Sequence, residues 1–263
     1  TVEGVITASN GQAGGIAGYL QKGTIENCVN KAAITGETSK YNVGGIAGYT
    51  GSNTIIKNCV NMGEISGEAQ QVGGILGKVG GSGSVEGCIN QGTVSGSSAV
   101  GGLVGLNEGR SDQETMFSVA SAVDKCTAAV SVSGKEKVGG LVGENSGSIT
   151  RSAAQGSVTA PDGVMVGGFA GDNSGGIYDS HAEGEVRGKS YAGGFAGISD
   201  GTVKNCYSLG SVTGTDYTGG FAGGISAAEN AVGAGLVTVT GTPTYGYTGG
   251  FAGRLGGTLA GLD

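Results

Sequence analysis

The chain of 263 residues has no Trp, only two Pro and a single His, and just 13% of its residues are charged. Each shortage removes a class. A collagen helix needs plentiful Pro with Gly at every third position, and neither is present. A zinc hydrolase of the HExxH type needs two His. Low charge beside 37% hydrophobic residues is the reverse of the composition that keeps a chain disordered. Only 14 Lys and Arg stand against 21 Asp and Glu, for a net charge of −7, which disfavours nucleic acid and anionic membranes as partners. There is no apolar run of about 18 residues, so no membrane insertion is expected. No GxSxG, dinucleotide fingerprint or phosphate-loop motif stands in context.

What the chain has in excess is Gly, with 60 copies, about a quarter of all residues, against roughly 7% in ordinary proteins. That much Gly argues against helices, whose interiors each Gly weakens by about 1 kcal/mol. The glycines are periodic. Gly-Gly-(Ile/Leu/Phe)-x-Gly occurs nine times, with its first Gly at Gly14, Gly44, Gly73, Gly101, Gly139, Gly167, Gly193, Gly219 and Gly249. The intervals of 26 to 30 residues, with one of 38, suit one turn of a solenoid. Each unit has three apolar beats: VGGIAG-like (Val43 to Gly48), TIENCVN-like (Thr24 to Asn30) and a short (Ile/Val)-x-Gly (Ile34 to Gly36). The third recurs at Ile65, Val94, Val132, Val158, Val186, Val212 and Val239, and Val2 to Thr7 reads like one more. Beats of four to six residues, rich in β-branched side chains and separated by Gly or Asn, are strands and turns. The expected fold is all-β: a parallel β-helix with three short strands per coil and eight to nine coils. At about 4.8 Å per coil it forms a rod about 40 Å long.

Equivalent positions should then stack as chemically uniform columns. The column after Gly-Gly runs from Ile16, Ile46, Ile75, Leu103 and Leu141 to Phe169, Phe195, Phe221 and Phe251. The column before Gly-Gly shrinks from Val to Ala192, Thr218 and Thr248 where its neighbour becomes Phe, as a core of fixed volume requires. These columns are three apart, so a kink at the Gly pair is expected to turn both inward.

The strings GGIAG, GGILG, GGLVG and GGFAG, followed by NC(V/I/Y)(N/S)-x-G and V-x-G, resemble the GLUG repeat; Gly193 to Gly214 is close to its consensus. The resemblance covers nine copies and implies an extracellular β-solenoid of a large bacterial surface or secreted protein, without activity of its own. Some such repeats lie upstream of metallopeptidases that cut immunoglobulin A. Residues 1–263 read as a single solenoid, a piece of a longer chain with parent polypeptide at both ends. Two departures stand out: about ten extra residues in the coil that starts at Gly101, and replacement of the Cys position by Ser152, Ser180 and Ala231.

Five side-chain groupings are candidates for a role. Cys28, Cys59, Cys88, Cys126 and Cys206 share one phase of the repeat. They read as a ladder of buried free thiols, with bridges between adjacent coils as the alternative. Asn30, Asn61 and Asn90 stack beside them, a structural amide column continued by Ala128, Ala154, Ala182 and Ser208. Asp172, Asp179, His181, Glu183 and Glu185 crowd one coil; a carbohydrate-cleaving site would use such acids, but the sequence offers no loop to wall a groove. Flanking the third beat, Thr35, Ser66, Ser95, Ser133, Thr159, Arg187, Thr213 and Thr240 make a hydroxyl face that Arg187 interrupts, which argues against ice binding. Two features have no role in the repeat: the polar insertion at about residues 107–118, with Arg110, Asp112 and Phe117, and the column Tyr191, Tyr217 and Tyr247, at the position that elsewhere holds Lys137. Both are partner-binding candidates, the Tyr column facing either solvent or the Phe core.

The expected function is that of a non-catalytic rigid stalk or adhesin outside the cell, with host protein or glycan as ligand and no cofactor or metal. The alternatives are a substrate-recruiting region of a larger metallopeptidase and a carbohydrate-active β-helix.

Overall fold

The computed structural model describes residues 1–109 and 122–261. Arg110, Asp112 and Phe117 therefore lie outside the described residues, and with them most of the insertion. Among the described residues there is no helix; all regular structure is strand, most of it in segments of two to four residues, with longer strands at Ala222–Gly233 and Ala252–Ala260. Every strand pairing is parallel, and its register joins one coil to the next, as in Ile34 to Ile65 and Val100 to Val138. The fold is a β-solenoid of about nine turns.

Three sheets wall the rod, two of nine strands and one of 22. The coil from Asn42 to Gly67 shows how. Its segments are Asn42–Gly44, Ala47–Thr50, Thr54–Lys57, Val60–Asn61 and Ile65–Gly67. The first lies in one nine-stranded sheet, the last in the other, and the middle three in the large sheet. The sequence pattern predicts three strands per coil; the structure has five segments, because two of the three beats are broken by corners. TIENCVN-like beats break at the residue before the Cys position, which adopts left-handed φ: 56° at Asn27, 50° at Asn58, 48° at Arg151 and 50° at Asp179. Asn tolerates that region best among residues with a side chain, which explains the frequent Asn-Cys pair.

The first beat breaks at the Gly pair, as expected: one strand ends on its first Gly (Asn42–Gly44) and the next begins after the following apolar residue (Ala47–Thr50). A left-handed residue also stands two positions before the pair, with φ 50° at Lys137, 60° at Met165 and 51° at both Tyr191 and Tyr217. The Gly pair is needed for closeness as well. A Cβ on Gly139 would run into the carbonyl of Val142, and one on Gly140 into the carbonyl of Gly168 in the next coil. The expected result holds: Val43 and Ile46, three apart, are both buried.

They are buried in different places. One apolar core, under the large sheet, holds Ile46, Ile75, Leu103, Leu141 and the Phe column. Phe169, Phe195, Phe221 and Phe251 stack with centroids 4.7–4.8 Å apart. A second, smaller core between the nine-stranded sheets holds Val43, Val72, Val100, Val138, Ile34, Ile65 and Val158. Between them is a waist where the second Gly of each pair meets the Asn/Ala/Ser column: Gly45 against Asn61, Gly140 against Ala154 and Gly194 against Ser208. One assignment in the last coil is corrected. Val237, not Val239, stacks on Val212, so Thr238, not Thr240, follows Thr213.

Candidate functional site

The Cys column is structural. All five cysteines are unpaired, and all but Cys28 are buried. Each thiol of this column donates to the carbonyl two residues before it, as Cys59 does to Lys57 (3.2 Å) and Cys126 to Asp124 (3.2 Å). Its chalcogen also accepts the backbone N–H of the coil before: Cys59 N–H reaches Cys88 Sγ at 3.4 Å, and Cys126 N–H reaches Ser152 Oγ at 3.2 Å. Ser152 N–H reaches Ser180 Oγ in the same way. Cys and Ser are thus equivalent acceptors at a corner where the left-handed turn leaves an amide unpaired. A hydrogen bond involving Cys126, together with burial, pushes the Cys88 thiol up to about 12. Burial alone is the leading cause for Cys206, also at about 12.

The amide column also forms as expected. Asn30 Nδ2 donates to Asn61 Oδ1 and Asn61 Nδ2 to Asn90 Oδ1, both at 2.8 Å; Asn90 Nδ2 ends the run on the Gly102 carbonyl at 2.6 Å. A second ladder was not anticipated from the sequence. Asn107 donates to Asn145 and Asn145 to Asn173, each at 2.7 Å, and Asn173 donates to Ser199 Oγ at 2.9 Å. Asn107 thus belongs to the solenoid wall in Val104–Asn107, and the insertion begins after it.

The acidic coil does not gather into one cluster. Asp172 faces Lys137, whose Nζ is 3.0 Å from both Asp172 and Glu144. Burial works against that ammonium, but its hydrogen bonds to the two carboxylates outweigh the cost and raise its pKa. Asp179 sits at the left-handed corner and accepts from Asn205 Nδ2 at 2.9 Å. Glu183 is 3.6 Å from His181, whose ring stacks on Tyr207. On the hydroxyl face, Thr35 and Ser66 hydroxyls are 3.1 Å apart, and Ser131 and Ser157 hydroxyls 3.2 Å apart, so rungs there bond to each other.

The tyrosine column lies outside both apolar cores, as does a second stacked pair, Tyr19 and Tyr49. Tyr191 and Tyr217 are half-buried, and Tyr247 is 53% exposed. The left-handed corner turns this position outside the Phe core. Tyr191 and Tyr217 stack face to face, with centroids 4.3 Å apart and planes 2° apart. Such a pair covers its facing surfaces and offers edges and hydroxyls. At the last rung the stack tilts. Tyr247 and a fourth ring, Tyr245, lie 5.3 and 5.5 Å from Tyr217 at about 45° and stack on each other, with centroids 6.2 Å and planes 7° apart. Tyr245 is 62% exposed.

Asp216 holds this rung in place. Its carboxylate accepts the backbone N–H groups of Thr244 (3.2 Å), Tyr245 (2.8 Å) and Gly246 (3.0 Å). Those donors, Gly246 first, hold the carboxyl below its usual range. Desolvation and then the neighbouring Tyr191 push the Tyr217 phenol above its ordinary value. Beyond the rings, Tyr217, Tyr247, Gly253 and Arg254 line a cleft of about 430 Å³. A smaller depression of about 90 Å³ on the other side of Arg254 includes Tyr191, Ile198 and Asp200. The sequence pattern marked Tyr191, Tyr217 and Tyr247 but not Tyr245, Asp216 or Arg254, because those three occupy columns without a repeated chemistry.

Among the described residues no three His, Cys, Asp or Glu side chains are grouped to hold a metal ion. No curated protein and no solved structure matches the chain. The family model of the GLUG motif matches residues 9–35, 136–159 and 188–213, and the last of these carries Tyr191 and Cys206. The matched segments fall in step with the coils, so the chain carries GLUG-motif repeats at these three positions.

Proposed function

We propose that this solenoid is a non-catalytic, rigid region of a cell-surface or secreted protein that acts as a stalk or adhesin and binds glycan or host protein through its tyrosine rungs. The observation that carries the reading is the Tyr191–Tyr217–Tyr247 column, with Tyr245 beside it. It is aromatic, outward and anchored by Asp216, yet it covers no core. Exposed aromatic side chains held rigid in this way are costly in water unless a partner covers them. The shape supports the reading too, since a rod whose coils bond only to their neighbours sets a fixed distance between its ends. Burial of four of the five thiols is compatible with an oxidising exterior, because a buried neutral thiol resists oxidation.

The test is a glycan and host-protein binding array, run with the native chain, with Tyr217→Ala and with residues 110–117 deleted. A ligand lost in Tyr217→Ala and retained in the deletion supports the reading. A ligand lost only in the deletion moves the site to the insertion. Absence of any bound ligand would leave a spacer alone, and cleavage of a polysaccharide abolished by Asp179→Asn would overturn the non-catalytic assignment.

A further inference from the structure

Tyr191 and Tyr217 stand on Ser190–Gly193 and Asp216–Gly219, strands that are each paired with a neighbouring coil on both sides. Both residues have φ 51°, so the second ring repeats the first one rung along the rod. Their centroid spacing of 4.3 Å is shorter than the 4.7–4.8 Å of the Phe column, and their planes are 2° apart. Each ortho carbon of one phenol therefore faces its counterpart at about the centroid spacing, just beyond the roughly 3.5–4.0 Å of carbon atoms in contact. The chain has no Trp to take up an oxidising equivalent, and four of its five thiols are buried.

We infer that Tyr191 and Tyr217 are an oxidative coupling site, joined by a carbon–carbon bond between their ortho positions when the protein meets a one-electron oxidant of the peroxide class. This goes beyond the binding reading and does not depend on it. A phenol that gives up one electron and its hydroxyl proton becomes a phenoxyl radical. The unpaired spin sits on the oxygen and on the ortho and para carbons, and Cβ blocks the para position. The spin-bearing orbitals stand perpendicular to the ring, so a face-to-face pair points them at each other. When both rings are oxidised, the two facing ortho carbons form one bond. Each then passes its hydrogen, as a proton, to its own ring oxygen, which restores both aromatic rings and both hydroxyls. The net change is two C–H bonds broken, one C–C bond made, and two electrons and two protons lost. The oxidant takes the electrons into its O–O bond: hydrogen peroxide, with the two protons, ends as two waters, and persulfate as two sulfates. Both rings lie outside the apolar cores, so they can tilt into the new bond without moving packed side chains. The bond ties one coil to the next, a covalent link that the five unpaired cysteines do not supply. Other tyrosines are less well placed. Tyr19 and Tyr49 are 5.1 Å and 10° apart, and the Lys78 ammonium over the Tyr49 ring opposes its loss of an electron. Tyr207 faces His181 instead of a phenol.

The test oxidises the dilute native chain with persulfate and light-excited ruthenium tris-bipyridyl, a small one-electron couple, and maps the product by tandem mass spectrometry. The expected product is a monomer two hydrogens lighter, fluorescent as dityrosine, with Tyr191 joined to Tyr217. The same treatment in urea should lower the yield of this pair at least tenfold, because the stack is lost with the fold. Tyr217→Phe should abolish the product at unchanged far-ultraviolet dichroism, and Tyr178→Phe should leave it unchanged. The joined chain should unfold at a higher urea concentration than the unjoined one, since a cross-link constrains the unfolded chain. Addition of oxygen alone to Tyr191 and Tyr217 overturns the inference. So does a main bridge to any other tyrosine or to a second chain, or an equal yield of the pair in urea. Mapping of the native chain decides among these even where a variant fails to fold.

Discussion

Replacing Asn61 by Ala tests whether the amide columns hold the coils or merely fill the waist. Asn61 is fully buried and makes four hydrogen bonds. Its Oδ1 accepts from Asn30 Nδ2 and from Gly63 N–H (3.3 Å), and its Nδ2 donates to the Gly63 carbonyl (2.9 Å) and to Asn90 Oδ1. Asn30 keeps the Ala32 carbonyl and Asn90 keeps Gly92 N–H, so neither neighbour is wholly stranded. Gly63 loses its side-chain partner on both sides of the peptide. Two buried backbone groups left unpaired cost about 1–3 kcal/mol each, and the two lost rungs about 1 kcal/mol each. The expected destabilisation is therefore about 4–8 kcal/mol, at the high end for one substitution. Urea unfolding followed by far-ultraviolet circular dichroism reads it as a lower midpoint at unchanged slope. Gln155→Ala, an exposed change, should stay within about 0.5 kcal/mol. A loss under about 1 kcal/mol for Asn61→Ala would refute the reasoning. The turn would then close without the amide, as it does in the coils that carry Ala128, Ala154 and Ala182.

The Cys column gives two further expectations. Cys88→Ser keeps an acceptor for Cys59 N–H and should cost under about 1 kcal/mol, whereas Cys88→Val leaves that amide unpaired and should cost about 1–3 kcal/mol, both read by urea unfolding. The Cys88 and Cys206 thiols have folded pKa values raised to about 12 from an ordinary value of 9.0. Their contribution is whole below pH 9.0 and is lost as pH rises towards 12, so the unfolding midpoint should fall across that window, and a thiol reagent at pH 8 should label them only after unfolding. Asp216 shifts the other way. Its folded pKa lies below the ordinary 3.8, so its hold on the Tyr245 loop is complete above that pH and is lost as pH falls through the lowered value. In a chain without Trp, near-ultraviolet dichroism of tyrosine should report the loss, and Asp216→Asn should show the acid-state signal already at pH 7.

The columns were legible in the sequence because stacking makes each position answer to the one above it. Ile to Phe drift with Val to Ala and Thr compensation, Cys in one phase and Asn30–Asn61–Asn90 could all be read from spacing alone. What escaped had a physical reason in each case. Left-handed corners belong to the backbone; Asn27 and Asn58 hint at one, but Lys137, Met165 and Tyr191 adopt the same φ with side chains that give no sign of it. The last third beat, Val237-Thr238-Val239, offers two registers of equal chemistry, and pairing with Val212 decides between them. The second Asn ladder hid because its column begins with Leu20, Thr50 and Val79 before Asn107. Tyr245 and Arg254 come from a loop and a neighbouring strand, so no period connects them.

Both asparagine runs point one way, each amide nitrogen handing its proton toward the C-terminal neighbour. A duplicated coil spliced between Asn61 and Asn90 would therefore meet the same giver on one side and the same taker on the other. The same copy placed after Ala154 would bring an amide whose giver and taker are both missing. Growth or shrinkage of the array by whole units is thus free inside a run and penalised across its borders, so such a gene would vary in length by segments of like interior.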